Sequence, residues 1–276
     1  MNRGIEISVN TVNVDNKNFK WNSTLTFAAN HEEITDLIDG KDIIGSDSHI
    51  TTSLLIGRPL KSFYHFINEG IWQENEAEEA AKYFKDSKKT QPFKPGDIKL
   101  RDLNGDYIID DKDETYLGSQ SPKWTGGFNN NFSYKNFDLN VYIIARWGQM
   151  IDYELTGSYD PQGKGNFPAY LNYWTPENPS NDFPRPAQTN FYNYLGYQTL
   201  NYIDGSYWKI KTVSLGYTFP KSLTSKLGVS KLAYVTANNL FSFAKNHLIQ
   251  DYDAERGGSA KAPLQRQFIF GLNLDF

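Results

Sequence analysis

Residues 102–113 read DLNGDYIIDDKD, and the oxygen-bearing side chains in this stretch are spaced so that they could hold a hard cation. Asp102, Asn104, Asp106, Asp110 and Asp113 fall at places 1, 3, 5, 9 and 12 of a calcium-binding loop, with the Ile108 carbonyl at place 7. Two positions depart from that pattern. Place 6, where glycine usually makes the sharp turn, is Tyr107, while the loop's own glycine, Gly105, stands at place 4. The last ligand is Asp113 rather than a bidentate Glu. A donor set of this kind supports structural chemistry, a Ca²⁺ ion that stiffens a loop; the competing reading is an Asp/Asn/Gly-rich turn on a solvated surface. No His, Ser or Cys accompanies these carboxylates at nucleophile–base spacing, so no catalytic residue and no enzyme activity are expected.

Composition narrows what the loop is attached to. The chain has 276 residues, 15% of them aromatic (18 Tyr, 18 Phe, 6 Trp). Its mean hydropathy is -0.60 and its net charge -4. Such a chain suits β structure with aromatic belts better than a Leu/Ala-rich helical core, and it is not basic enough for a nucleic-acid partner. It has no cysteine, which excludes disulfides and thiolate-bound metals. His31, His49, His65 and His247 show no ligand spacing and read as surface or packing residues. No apolar run approaches the roughly 18 residues of a membrane helix. The opening MNRGIEISVN has neither a basic n-region nor an apolar h-region, so no secretory signal is expected in it.

The elements that must position the loop show a period of two. In FDLNVYIIARWG (137–148) the odd residues Phe137, Leu139, Val141, Ile143, Ala145 and Trp147 are apolar, and the even set includes Asp138, Asn140, Tyr142 and Arg146. Residues 18–30 set Phe19, Trp21, Leu25, Phe27 and Ala29 against Asn18, Lys20, Asn22, Thr24 and Thr26. The final RQFIFGLNLDF places Phe268, Phe270, Leu272, Leu274 and Phe276 on one face. Strands are expected at 3–14, 18–30, 124–134, 137–148, 206–219, 229–243 and 265–276. The connections alternate in length: 15–17, 135–136 and 220–228 are short, while 31–123, 149–205 and 244–264 are long. Short turns on one side and long loops on the other are the pattern of an outer-membrane barrel. The aromatics Phe19, Trp21, Tyr134, Phe137, Tyr217, Phe219 and Phe276 gather beside the short turns, where one girdle would lie. The fold class expected is all-β: about seven strands of a large antiparallel transmembrane barrel, one segment over 1–276, with loop insertions at 31–123, 149–205 and 244–264. An odd strand count points to part of a longer barrel. Within the loops, residues 74–89 read as a short helical patch with Glu78 able to pair Lys82, and YWTPENPSNDFPRP (173–186) reads as a stiff, exposed, extended loop.

Several blocks carry a resemblance. RPLKSFYHFINEGIWQ (58–73), KPGDIKLRDLNGDYIIDDKDETYLGSQSPKWTGGFNNNFSYKNFDLNVYI (94–143), YWTPENPSNDFPRP (173–186), SYWKIKTVSLGYTFP (206–220) and ANNLFSFAK (237–245) together resemble the C-terminal barrel part of the SusC/RagA family, TonB-linked outer-membrane transporters of Bacteroidota. The resemblance is colinear over essentially the whole chain and most specific from Pro95 to Leu139. It implies a cell-outer-membrane location and TonB-dependent import of glycan oligosaccharides or peptides. It also implies a SusD-like surface lipoprotein as a lid, outer-membrane lipid around the wall, and a TonB complex reached through N-terminal parts not found here. It places the 102–113 block on the extracellular side, with Tyr107 where the family usually has glycine. It further implies that the terminal aromatic, Phe276, is read during barrel assembly. The alternative is a truncated, non-transporting fragment that is at most a binding or structural protein.

Overall fold

The computed structural model describes residues 1–45, 53–154, 171–186, 195–220, 230–250, 252–259, 262 and 264–275. In chain order its strands are β1 (Asn2–Asp15), β2 (Phe19–Glu32), β3 (Ser62–Phe66), β4 (Asn68–Ile71), β5 (Ile98–Leu100), β6 (Glu114–Ser119), β7 (Trp124–Tyr134), β8 (Phe137–Trp147), β9 (Met150–Asp152), β10 (Tyr202–Asp204), β11 (Tyr207–Thr218), β12 (Ser230–Ala244) and β13 (Gln267–Asp275). Seven of them form one sheet in the order β1-β2-β7-β8-β11-β12-β13, each antiparallel to its neighbours. These are the seven strands expected from the sequence, displaced by at most two residues at any end. As expected, β8 pairs with both β7 and β11.

Register turns the period-two pattern into two continuous faces. Across β2, β7 and β8 the aligned rows Trp21–Phe132–Leu139 and Leu25–Phe128–Ile143 stand on one side, and Val213 and Leu215 of β11 continue it opposite Val141 and Leu139. At the sheet's end Phe268, Phe270 and Leu272 are 62%, 80% and 58% exposed, which in water would be a large unburied apolar surface. The same side carries two aromatic bands. Near the short turns Phe19 and Trp21 stack on Phe132, and Phe137 meets Tyr217 at 4.7 Å between ring centroids. Near the loops Phe27 stacks on Trp124, Trp124 on Trp147, and Trp208 meets Phe241 and Phe243. From Phe137 to Trp147 a strand rising about 3.3 Å per residue and tilted by about 40° climbs about 25 Å, the height of an outer-membrane apolar band. Only the turn-side girdle was expected; the second is formed by residues brought level by pairing. Phe276 lies outside the described residues.

Polar residues on the apolar side are satisfied locally, as hydrocarbon requires. The Trp21 indole N–H donates to Asn130 Oδ1 at 3.0 Å, and the Thr11 and Ser23 hydroxyls meet at 2.7 Å. The opposite face is a hydrogen-bonded polar ladder. Asn140 Nδ2 donates to Asn129 and Asn131 at 2.7 Å each, and Ser214 meets Thr236 at 2.7 Å. The short turns follow from their residues: Asn16 Oδ1 accepts the amides of Asn18 and Phe19, and Lys135 takes φ 54° in the two-residue turn before β8.

The hydrophobic core is not in this sheet. Phe66, Ile71, Trp72, Phe93, Ile98, Leu100, Ile109, Trp174 and Phe183 form the largest buried cluster, and all belong to the long connections. A second cluster of Ile151, Tyr153, Ile203 and Ile249 rests on Tyr207 and Ala244 at strand ends, with Ile144 of the polar side packed against it. The loops therefore fold over the polar face of the sheet, above its ladder.

Candidate functional site

The acid-rich loop closes on its own backbone. Asp102 accepts the Gly105 amide through Oδ1 at 2.7 Å and the Tyr107 amide through Oδ2 at 2.9 Å. Asn104 Oδ1 accepts the Asp106 amide and its Nδ2 donates to Asp106 Oδ2, while Asp106 Oδ1 accepts the Ile108 amide at 2.8 Å. Asp113 is fully buried and takes the amides of Leu103 and Asp110 at 2.8 and 2.9 Å. Asp110 caps the turn Asp111–Asp113, and the Lys112 amide, helped by the Lys112 ammonium against a small burial effect, holds its carboxyl below the usual range. Asp102, Asn104, Asp106, Ile108, Asp110 and Asp113 all lie within this one loop. The side-chain oxygens of Asp102, Asn104, Asp106, Asp110 and Asp113 accept backbone amides, and among the described residues no group of three or more His, Asp or Glu side chains is placed to hold a metal ion.

Tyr107 explains how the loop turns without glycine at place 6. It adopts φ 65° itself, a left-handed conformation that costs a non-glycine residue about 1 kcal/mol or more. Its carbonyl accepts the Phe84 amide at 2.8 Å and its ring lies 5.2 Å from that of Tyr83.

Around this loop a buried ion pair ties the first long connection together, and part-buried polar contacts join it to the second. Lys85 Nζ meets Asp97 Oδ2 at 2.6 Å, and Arg185 reaches Asp97 Oδ1 at 3.0 Å. Trp174 Nε1 donates to Gln73 Oε1, and Asn181 Oδ1 accepts the Ile71 amide, each at 3.0 Å. Gly96 has φ 85°, and a Cβ there would fall within 2.4–2.6 Å of Arg185 and Trp174, so only glycine fits. The expectation of an exposed 173–186 loop is therefore corrected: Trp174 and Phe183 are 4% and 1% exposed, because apolar residues from 66–109 offer them a core. The helical patch is corrected as well. Glu74–Glu76 and Ala77–Ala80 form one short turn each, and Lys82 pairs with Glu79 at 2.6 Å rather than with Glu78.

Two titratable groups sit in the β3–β6 ribbon. Burial lowers the His65 pKa to about 4, and burial together with Asp111 raises that of Glu114 to about 7. His65 Nδ1 accepts the Phe66 amide and lies 3.4 Å from Glu114 Oε1. His31 and His247 are exposed, and His49 lies outside the described residues.

A third group faces the polar side of the sheet. Lys209 is 1% exposed and contacts Asp253 at 2.7 Å and Glu255 at 3.0 Å, and Lys211 contacts Glu255 at 2.6 Å. Although burial pushes it upward, Lys211 and Lys209 hold the Glu255 carboxyl below its usual range. These contacts tie the third long connection to β11. The sequence signal was present in YWKIKT, where two lysines two residues apart must share one face; the acidic partners carry no local signal. Below the loops an open cavity of about 500 Å³ is lined by Glu6, Thr26, Tyr142, Arg146 and Tyr207. Its donors and acceptors can bind and orient a polar surface.

A sheet with one apolar face bounded by aromatic bands, a polar opposite face and a folded loop body at one end defines a transmembrane β-barrel wall. Over its whole length the chain is 32% identical to TonB-dependent receptor P3 of Formosa agariphila and 26% identical to TonB-dependent receptor SusC of Bacteroides thetaiotaomicron, spanning 28% and 26% of those proteins. The solved structure of the RagAB peptide transporter superposes on all of it with a TM-score of 0.73 at 23% identity, over 29% of that chain. No protein-family model matches. The chain belongs to the SusC/RagA family of TonB-dependent receptors and corresponds to a portion of their barrel.

Proposed function

We propose that this chain forms wall and loop body of an outer-membrane, TonB-dependent importer of glycan oligosaccharides or peptides, working with a SusD-like surface lipoprotein and having no enzyme activity of its own. The observation that carries the reading is the division of labour between the two faces of the sheet. The apolar face is matched to lipid, and the polar face is roofed by loops whose core is independent of the membrane. Relatives named as receptors, and a peptide transporter of the same fold, support transport as the class. The buried ties at Asp97 and Lys209 suit a roof that keeps its shape while a lid protein moves against it. Uptake of labelled oligosaccharides and of labelled peptides by cells carrying or lacking the gene tests it. Uptake of one class that depends on both the gene and the proton gradient is expected; unchanged uptake of both contradicts it.

We further propose that loop 102–113 takes a structural Ca²⁺. The turn at Tyr107 and the residual lone pairs of Asp102, Asp106, Asp110 and Asp113 support this, since an ionised carboxylate has about four acceptor sites and each uses only some of them on amides.

A further inference from the structure

Just past the loop-side aromatic band, basic side chains from four elements surround one open cavity of about 600 Å³. His31 stands in β2 two residues beyond Ala29 of the outer face, so strand alternation carries that face through it, and Lys245 directly follows β12, its amide bonded to the Ser206 carbonyl at 2.9 Å. Arg58 follows Gly57, and Lys123 immediately precedes β7. Trp147, stacked on Trp124 within the band, lines the same cavity. Two acids also line it: Asp204 pairs with Lys245 at 2.5 Å, and Glu32 accepts the Leu60 amide at 3.1 Å, while His31 lies 3.2 Å from Glu33, so among the described residues the cavity's unpaired cations are Arg58 and Lys123. Arg58 and Lys123 are exposed and have no carboxylate partner among the described residues. The Arg58 guanidinium carbon lies 4.5 Å from the centroid of the Tyr116 ring, a cation–π contact that uses none of its N–H donors on a carboxylate.

We propose that this cavity binds the phosphate-bearing head group of an anionic lipid in the leaflet on the loop side of the membrane. The inference rests on the apolar face being the lipid face, which a scan of single thiols along β8 tests separately. Aromatic bands lie at head-group level, so a cavity beside Trp147 is reached by a lipid whose acyl chains lie along that face. Arginine and lysine near such a surface attract anionic head groups, and the guanidinium edge matches phosphate oxygens. A soluble anion would find the same cations, without the anchoring provided by the apolar face.

Native mass spectrometry of the membrane-assembled protein tests this. The probes are a diphosphorylated glucosamine lipid (lipid A), its fully dephosphorylated counterpart and phosphatidylcholine, with inorganic phosphate as competitor. The diphosphorylated lipid should be retained about tenfold better than the other two, and Arg58→Ala with Lys123→Ala should remove that preference. Arg58→Gln with Lys123→Gln serves if the alanine pair fails to assemble, and Lys20→Ala with Lys135→Ala at the turn side should change nothing. Equal retention of the dephosphorylated lipid, a preference that survives the double substitution, or displacement by millimolar inorganic phosphate would overturn the proposal.

Discussion

The Lys85 ammonium and the Asp97 carboxylate meet at 2.6 Å with only 3% of each side chain exposed, twelve residues apart in the chain and beneath the Pro-rich segment of another loop. Burial pushes the Lys85 pKa down while Asp97 draws it up, so the pair depends on remaining complete. Asp97→Ala would strand a buried ammonium and release Arg185, at a cost of about 3–5 kcal/mol to the loop body. Hydrogen exchange should then rise across 66–100 and 174–185 while β7 and β8 stay protected. Unchanged exchange in the loops would show that the pair does not hold them together.

The His65–Glu114 pair gives a pH dependence whose two halves oppose each other. His65 falls from its ordinary 6.5 to about 4, so its contribution is present above 6.5 and lost as pH falls through about 4. Glu114 rises from 4.5 to about 7, so its contribution is present below 4.5 and lost as pH rises through about 7. Between 4.5 and 6.5 the slopes cancel, and stability of the β3–β6 ribbon should be nearly flat. In His65→Gln it should decline with rising pH over 4.5–7, and in Glu114→Gln it should decline with falling pH from 6.5 to 4. Amide exchange of Tyr64 and Tyr116 followed against pH reads both slopes; parallel profiles in the two variants would refute the opposition.

Calcium binding by the 102–113 loop is decided by calorimetry. Heat should be released on adding Ca²⁺ and should vanish in Asp102→Ala and in Asp106→Ala, with slower exchange of the Tyr107 amide in the bound state. If no heat is released, or if it survives both substitutions, the amide-capped turn is the whole structure of the loop.

The sheet was legible because its signal is local. Alternation in FDLNVYIIARWG fixes which residues share a face, and Lys135-Asn136 marks the turn without reference to anything distant. The loop body was not legible, because its signal is pairing at long range. Nothing near Trp174 announces Gln73, and the four prolines of 173–186 describe a stiff segment equally well whether it is exposed or buried. The acid loop falls between these cases. Its spacing is local and readable, but the positive φ at Tyr107 goes with contacts to Phe84 and Tyr83, more than twenty residues earlier in the chain. The basic cavity at the rim had no sequence signature, since His31, Arg58, Lys123 and Lys245 come from four separate segments.

The membrane-facing sheet is tested most directly along β8. The chain has no cysteine, so single thiols can be introduced from Phe137 to Trp147 and spin-labelled in the membrane-assembled protein. Collision with dissolved oxygen, which concentrates in lipid, should peak at 137, 139, 141, 143 and 145. Collision with a water-soluble nickel chelate should peak at 138, 140 and 142. As a stability counterpart, Val141→Arg should cost about 2–4 kcal/mol near mid-height, whereas Asn140→Arg should be tolerated. Two exposure profiles alternating out of phase are the expected result; profiles without a period of two, or oxygen contact at the even positions, would contradict the assignment of this face to lipid.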